Sequence, residues 1–200
     1  MVQLESRGTF NDEERTIRVL MRRSVSIPNI VASIQFNVSN PIFDPKGNDL
    51  FVSGYEHDLL GVKDATAPPA HGLAAPTDPV NLEVQIRSNQ VDQIEGAGGL
   101  PSITHVPAID LDTLVEQSKA AKTHELLAGE TYAELTLGSP DPGGVVVAVC
   151  EGDLHLSGQA KGYGILVVDG DMICSGQLLW TGIILVRGRC DMVGGGTMKR

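Results

Sequence analysis

The chain predicts a mainly β protein: an N-terminal antiparallel β unit, an irregular middle that holds one helix, and a C-terminal short β-solenoid with 18-residue coils, three hexads per coil. Three observations carry that fold class. Gly152, Gly158, Gly164, Gly170, Gly176, Gly182, Gly188 and Gly194 fall on every sixth residue, an unbroken period of the kind that repeat architectures impose. Hydrophobic residues make up 42% of the chain but aromatics only 4%, so a core has to rest on Val, Ile, Leu and Ala, the mixture expected of many strands. Apolar and polar residues alternate near the start, the period-two signature of a half-buried strand.

Residues 1–43 read as the β unit. Val2, Leu4 and Ser6 alternate, the chain turns through Gly8 to Asp12, and RTIRVLMRR resumes with Ile17, Val19 and Met21 on one face, a hairpin pattern. A further strand, IVASIQFNV over residues 30–38, ends near the turn Asn40-Pro41. Residues 44–143 form the irregular region, rich in Pro, Gly, Asn and Asp, with short strand-like runs at Leu50-Phe51-Val52 and at the alternating Leu82, Val84 and Ile86. The cluster GAGG before Pro101 favours a turn. One helix stands out near 110–128: Asp110 is placed to cap it, Leu111, Leu114 and Val115 share a side, and Gly129 is a stop. The strand-like TYAELTLG then leads through SPDPGG into the repeat, residues 144–200.

Aligned on a period of 18, the last part agrees beyond glycine. Asp153 matches Asp171, Ser157 matches Ser175 and Gln159 matches Gln177, while Val147, Ile165 and Ile183 form one apolar column and Val149, Val167 and Leu185 another. A chain that turns a corner every six residues and closes after three sides can stack coil on coil, with backbone hydrogen bonds between coils roughly 4.8 Å apart. Glycine at the corners allows backbone conformations that other residues reach only at a cost. The last copy stops at GGGTMKR with no polar cap in view, which predicts an unpaired solenoid end open to self-association.

At 200 residues the chain can bury a core without metals or crosslinks. A net charge of -10, with no local run of Lys or Arg to reverse it, argues against nucleic-acid binding. Cys150, Cys174 and Cys190 show no CxxC spacing and read as small packing residues. No window reaches the length of a membrane span, and MVQLESRGTF lacks the basic start and apolar run of a signal peptide, so this segment itself is expected to make no membrane contact.

Several polar groups are candidates for chemistry, each with a plainer reading beside it. Glu56, His57 and Asp58, with Asp64 and His71, could hold calcium from a loop, but a solvated loop is the expectation. Glu151, Asp153, Asp169 and Asp171 place carboxylates on successive coils, as an acid and base pair would need, yet an Asp after a corner glycine caps the turn, and the position becomes Arg189 one coil on. Ser157 and Ser175 are repeat positions without a neighbouring base, and no GxSxG, P-loop, dinucleotide fingerprint or HExxH is present. The assignment is therefore not an enzyme, with no catalytic residue, no metal and no cofactor. Asn37-Val38-Ser39 matches a glycosylation sequon. Tyr163 and Trp180 form an aromatic pair on adjacent coils, the best ligand contact on the solenoid, with core packing as the plainer reading.

Three stretches resemble the PilX-type, pilin-like components associated with type IV pilus assembly in bacteria: SRGTFNDEERTIRVLMRR, SNQVDQIEGAGGLPSITHVPAIDLDTLV, and VVVAVCEGDLHLSGQAKGYGILVVDGDMICSGQLLWTGIILVRG. The resemblance covers most of the chain. It implies a noncatalytic cell-surface protein, extracytoplasmic and anchored in the inner membrane by an upstream hydrophobic helix, whose partners are other pilus or cell-envelope proteins. This sequence holds no such helix, so the chain is expected either to be the outer portion of a longer product or to start at a downstream Met. Two alternatives use the same architecture: a bactofilin-like self-assembling scaffold and a β-helical carbohydrate-active enzyme.

Overall fold

The structure, a computed structural model, describes residues 2–10, 13–21, 30–43, 50–58, 62–64, 66–141, 143–193 and 196–199. The chain is mainly β, with parallel sheets and, among the described residues, two α-helices. At its start, β1 (Val2–Phe10) and β2 (Glu13–Met21) form an antiparallel hairpin in which Val2 faces Met21 and Phe10 faces Glu13. The reversal therefore comes after Phe10, and Gly8 lies within the strand opposite Arg15, not in the turn expected there. Gly194 lies outside the described residues.

The middle of the chain supplies β3 (Ala32–Gln35), β4 (Phe51–Ser53), β5 (His71–Ala75), α1 (Val80–Glu83), β6 (Ile94–Glu95), β7 (Ile103–His105) and α2 (Leu111–Ala120). The rest is β8 (His124–Leu126), β9 (Thr131–Leu137), β10 (Val146–Cys150), β11 (Leu154–Val168), β12 (Met172–Cys174), β13 (Gln177–Val186), β14 (Cys190–Met192) and β15 (Gly196–Lys199). From β10 onward one rule governs pairing. Each residue lies parallel to the one eighteen positions on: Val146 beside Gly164, Leu154 beside Met172, Gln159 beside Gln177, Met172 beside Cys190 and Leu178 beside Gly196. β8 and β9 precede this ladder at longer offsets, with His124 beside Ala148 and Glu134 beside Gln159.

Two kinds of constraint keep glycine at the described corners. Gly164 and Gly182 take φ of +123° and +129°, a region that side chains disfavour. Gly158 and Gly176 are required by closeness: a Cβ on Gly176 would stand 1.9 Å from the Gly158 carbonyl oxygen, and one on Gly158 would stand 1.7 Å from that of Ala133. Gly164 and Gly182 are closed as well, since a Cβ there would stand 2.1 Å from the Val146 carbonyl oxygen and 2.0 Å from that of Gly164, so closeness acts at all four corners and conformation adds to it at two.

The far end of the ladder departs from expectation. Thr197, Met198 and Lys199 of β15 pair in parallel with Phe51, Val52 and Ser53 of β4, which in turn pairs with β6. The last rung is covered by the chain's own earlier residues, because β4 supplies the hydrogen-bonding edge that the repeat itself does not. Beside it β3, β5 and β7 form a second parallel sheet. β3 thus joins no antiparallel unit; among the described strands, the hairpin is the antiparallel pair. Leu82, Val84 and Ile86 are not a strand either: Leu82 lies in α1 and is buried, and Val84 and Ile86 follow in the turn. Local helical bonding from Pro79 outcompetes the period-two pattern there.

α2 begins at the cap the sequence marks, with the Asp110 carboxylate accepting from the Thr113 N–H at 2.9 Å. It ends at Ala120, well before Gly129, because the ladder captures the chain: Thr123 donates to the Val147 carbonyl at 2.9 Å and β8 follows at once. Leu114 and Val115 bury against Val149, Val167 and Leu185, with Val147, Ile165 and Ile183 around them. Those are the two apolar columns of the 18-residue alignment, and they lie on the outer surface beneath the helix. The opposite surface of the same strands carries Ala148, Cys150, Leu166 and Val168 into the interior. Burial on both faces explains why these strands read as nearly unbroken apolar runs.

A charged seam fastens the helix. Lys119 bonds Asp169, and Arg187 reaches both Asp169 at 2.7 Å and Asp112 at 2.8 Å. Lys119 foremost, and Arg187 after it, hold the Asp169 carboxyl below the usual carboxylate range. A lowered folded value means the contribution is complete above the unfolded pKa and is lost as pH falls through the folded one. Helix docking should therefore be insensitive to pH above about 5 and weaken below about 4, and Asp169→Asn should flatten that acid limb, as followed by urea midpoints across pH. Leu114→Ala should cost about 2–5 kcal/mol by the same measurement.

Candidate functional site

A cavity of about 710 Å³ lies between the end of the ladder and the segment that follows β3. Its size is within the range of about 300–1,000 Å³ common for ligand sites. Leu178, Trp180, Ile184 and Met192 line it from the ladder, Ile34 and Phe36 from the other side, and Asp110, Asp112, Arg187 and Arg189 at its polar edge. The repeat creates the ladder wall, since inward positions alternate along β13. The other wall is stiffened by Phe36, whose ring meets Phe43 edge-on with centroids 6.0 Å apart.

Of the proposed aromatic pair, Trp180 borders this space and Tyr163 is not among its lining residues. Both rings are buried, Trp180 at 7% and Tyr163 at 8% exposure, so they form no exposed platform. Trp180 donates its indole N–H to the Gly164 carbonyl at 3.1 Å and lies across its ladder partner Gly162, where a Cβ would come within 2.1 Å of the ring. The glycine is small because the indole occupies its side-chain space.

The repeat carboxylates serve the fold. Asp153 Oδ1 accepts from the Asp171 N–H at 2.8 Å, and Asp171 Oδ1 accepts from the Arg189 N–H at 2.7 Å, so each corner caps the next one up. That ladder also excludes side chains from Gly170 and Gly188, whose Cβ atoms would meet Asp153 and Asp171 at 2.5 and 2.2 Å. Arg189 can end the series because it supplies only the backbone donor. Asp169 is held in the helix seam, and Glu151 pairs with Lys122 at 3.2 Å.

Two carboxylates of the polar loop, Asp58 and Asp64, turn to their own loop, while His71 stands apart in β5 with Nδ1 buried and unpartnered. Asp58 accepts from the Val62 N–H, and Asp64 accepts from the Thr66 hydroxyl and N–H, which lowers its carboxyl pKa. His57 Nδ1 lies 2.8 Å from the Tyr55 carbonyl, and Lys63 sits over the Tyr55 ring and bonds Glu95 at 3.3 Å. Asn37, the sequon residue, donates to the Ile109 carbonyl at 2.9 Å and accepts from its N–H at 2.7 Å. Its amide ties β3 to the approach of α2. Cys150 and Cys174 are buried core residues whose thiols burial pushes up. Cys190 is exposed and borders the cavity, and desolvation, with Cys174 and Asp191 nearby, pushes its thiol up to about 11. Such thiols are poor nucleophiles at neutral pH.

Two features escape the sequence pattern. Ser175 does have a neighbouring base, His155 Nε2 at 3.1 Å, and His155 Nδ1 lies 3.3 Å from the Thr131 hydroxyl. These residues come from β9, β11 and the corner after β12, and the ladder alone brings them together. A hydroxyl rather than a carboxylate holds the second ring nitrogen, so the imidazolium of an acyl-transfer triad has no anionic partner here. The cavity is the other feature, since its second wall comes from residues 33–42.

Among the described residues, no helix is long and apolar enough to cross a membrane. No family model matches the chain, and neither a curated protein nor a solved structure matches it. The cap ladder predicts that Asp171→Ala lowers stability by about 1 kcal/mol while Asp171→Asn, which keeps an acceptor oxygen, loses less. Thermal or urea unfolding of the two variants checks the order.

Proposed function

We propose that the chain is a noncatalytic structural or interaction module of a bacterial cell-surface system of the type IV pilus kind, built as a β-solenoid with 18-residue coils of three hexads. The carrying observation is the constant eighteen-residue register from β10 to β15. A scaffold needs that rigidity. The repeat carboxylates support the same reading, because they are committed to caps and to the helix seam rather than facing one another across a cleft. The resemblance to PilX-type components supplies the setting: an extracytoplasmic protein acting with other pilus or envelope proteins.

A second reading, a bactofilin-like polymer, has one observation in its favour. β9 pairs only with β11, and β8 only with β10, so among the described residues the ladder ends there in a strand edge able to receive another copy.

Fractionation of the cells that produce the protein separates the two readings. The pilus reading predicts the chain in membrane and sheared-pilus fractions and a loss of surface pili when its gene is deleted. A soluble cytoplasmic protein that forms filaments when concentrated, with pili intact in the deletion strain, would overturn it.

A further inference from the structure

The end of the ladder away from β4 carries an open edge. β8 pairs with β10 and β9 with β11, and on their other side neither strand has a partner among the described residues. Neither terminus of the chain falls here by register. The eighteen-residue offset runs away from this end, and the chain enters it from α2 through Lys122 and Thr123, within the unbroken described stretch 66–141.

Two further observations set the chemistry of this edge. Leu126 and Leu135 of its strands are buried, but Tyr132 and Leu137 pack on the core only in part, and Leu127, between the two strands, is 63% exposed. Glu134 of β9, beside Gln159, and Glu130 just before the strand are exposed and make no ion pair among the described residues. Glu125 of β8, in contrast, pairs with Lys122 at 3.1 Å, and Lys161, beside Thr136, lies over the Tyr163 ring.

We propose that this edge is a strand-addition site for a basic segment of a different polypeptide, which lies along β9 with apolar residues stacked on Leu135 and Leu137 and a Lys or Arg opposite Glu134. An edge strand presents a row of unpaired backbone donors and acceptors, and an extended peptide satisfies them along its length. The added strand continues the alternation of β9, so its inward residues complete the cover over Tyr132 and Leu137 while its outward ones meet the glutamate. Opposite charges directly across two strands stabilise the pair, and like charges destabilise it.

The same charges disfavour a second copy. Two copies meeting through this end would bring Glu130 and Glu134 of both into one contact. The other end of the stack offers β6 and β7, of two and three residues, with Glu95 already bonded by Ser53 and Lys63. The hairpin strands hold acids and bases in equal number, Glu5 with Arg7 in β1, and Glu13 and Glu14 with Arg15 and Arg18 in β2. A basic segment gains instead from the chain's net charge of -10.

This site rests on the reading of the chain as an interaction module and names the chemistry of its partner. Its test uses the purified chain, so its failure is separate from the outcome of cell fractionation. The probe is a fluorescent heptapeptide of alternating lysine and valine, with a glutamate–valine heptapeptide as its counterpart. The lysine peptide should bind saturably, slow hydrogen exchange at the edge amides of β9, and weaken with added salt. Exchanging it for the glutamate peptide, or the chain for Glu134→Lys, should each lower affinity severalfold. N-methylation of the lysine peptide at alternate residues should lower it at least about tenfold, the loss expected for two or three backbone hydrogen bonds. Equal binding by the methylated peptide, unchanged exchange in β9 or unchanged affinity of Glu134→Lys would reduce the contact to attraction by net charge and overturn the proposal. So would the absence of binding, or a concentration-dependent dimer whose formation releases the peptide.

Discussion

The parallel backbone ladder, in which Gln159–Val168 lies beside Gln177–Val186, is the interaction on which the other features depend. Once the offset is locked, every side chain has its counterpart one turn above it, and a local choice is repeated or paid for at the next rung. Gln159 meets Gln177, Asp153 caps the residue that caps Arg189, and corners must be small because a carbonyl sits where a Cβ would be. Trp180 is the exception that proves the same rule. A large ring is admitted at that position only because its ladder partner is Gly162.

The ladder also determines what lies outside it. One face of the repeat is apolar on both surfaces, so it demands a cover, and α2 provides it with Leu114 and Val115 over the outer columns. The seam of Lys119, Asp169, Arg187 and Asp112 then fixes where along the ladder the helix rests. Carboxylates that a sequence reading could assign to acid–base chemistry are consumed by this arrangement. The β4 strand closes one end by continuing the same backbone pairing, which lets residues far apart in the chain share one stack. The cavity opens between this end of the ladder and the residues of and after β3.

Legibility in the sequence follows from how local each cause is. The glycine period, the aligned columns, the Asp110 cap and the TYAELTL strand all depend on near neighbours or on strict repetition, and they are readable. The extent of α2 is not, because its end is decided by the capture of Thr123 by Val147. Leu82, Val84 and Ile86 alternate like a strand, yet the turn from Pro79 draws them into helical bonding. The columns were visible as apolar positions, but nothing local says whether they face inward or out; that depends on where a helix from earlier in the chain comes to lie. The His155–Ser175 contact and the second wall of the cavity are likewise products of pairing across the stack. No spacing motif announces either.

Nuclear Overhauser contacts between backbone protons distinguish the parallel ladder from any other pairing. Cross-peaks are expected between residues eighteen apart, such as Ala160 with Leu178 and Leu166 with Ile184, together with contacts from Met198 to Val52. Contacts between residues related by a simple turn, as in antiparallel hairpins across Gly170 or Gly176, would contradict it.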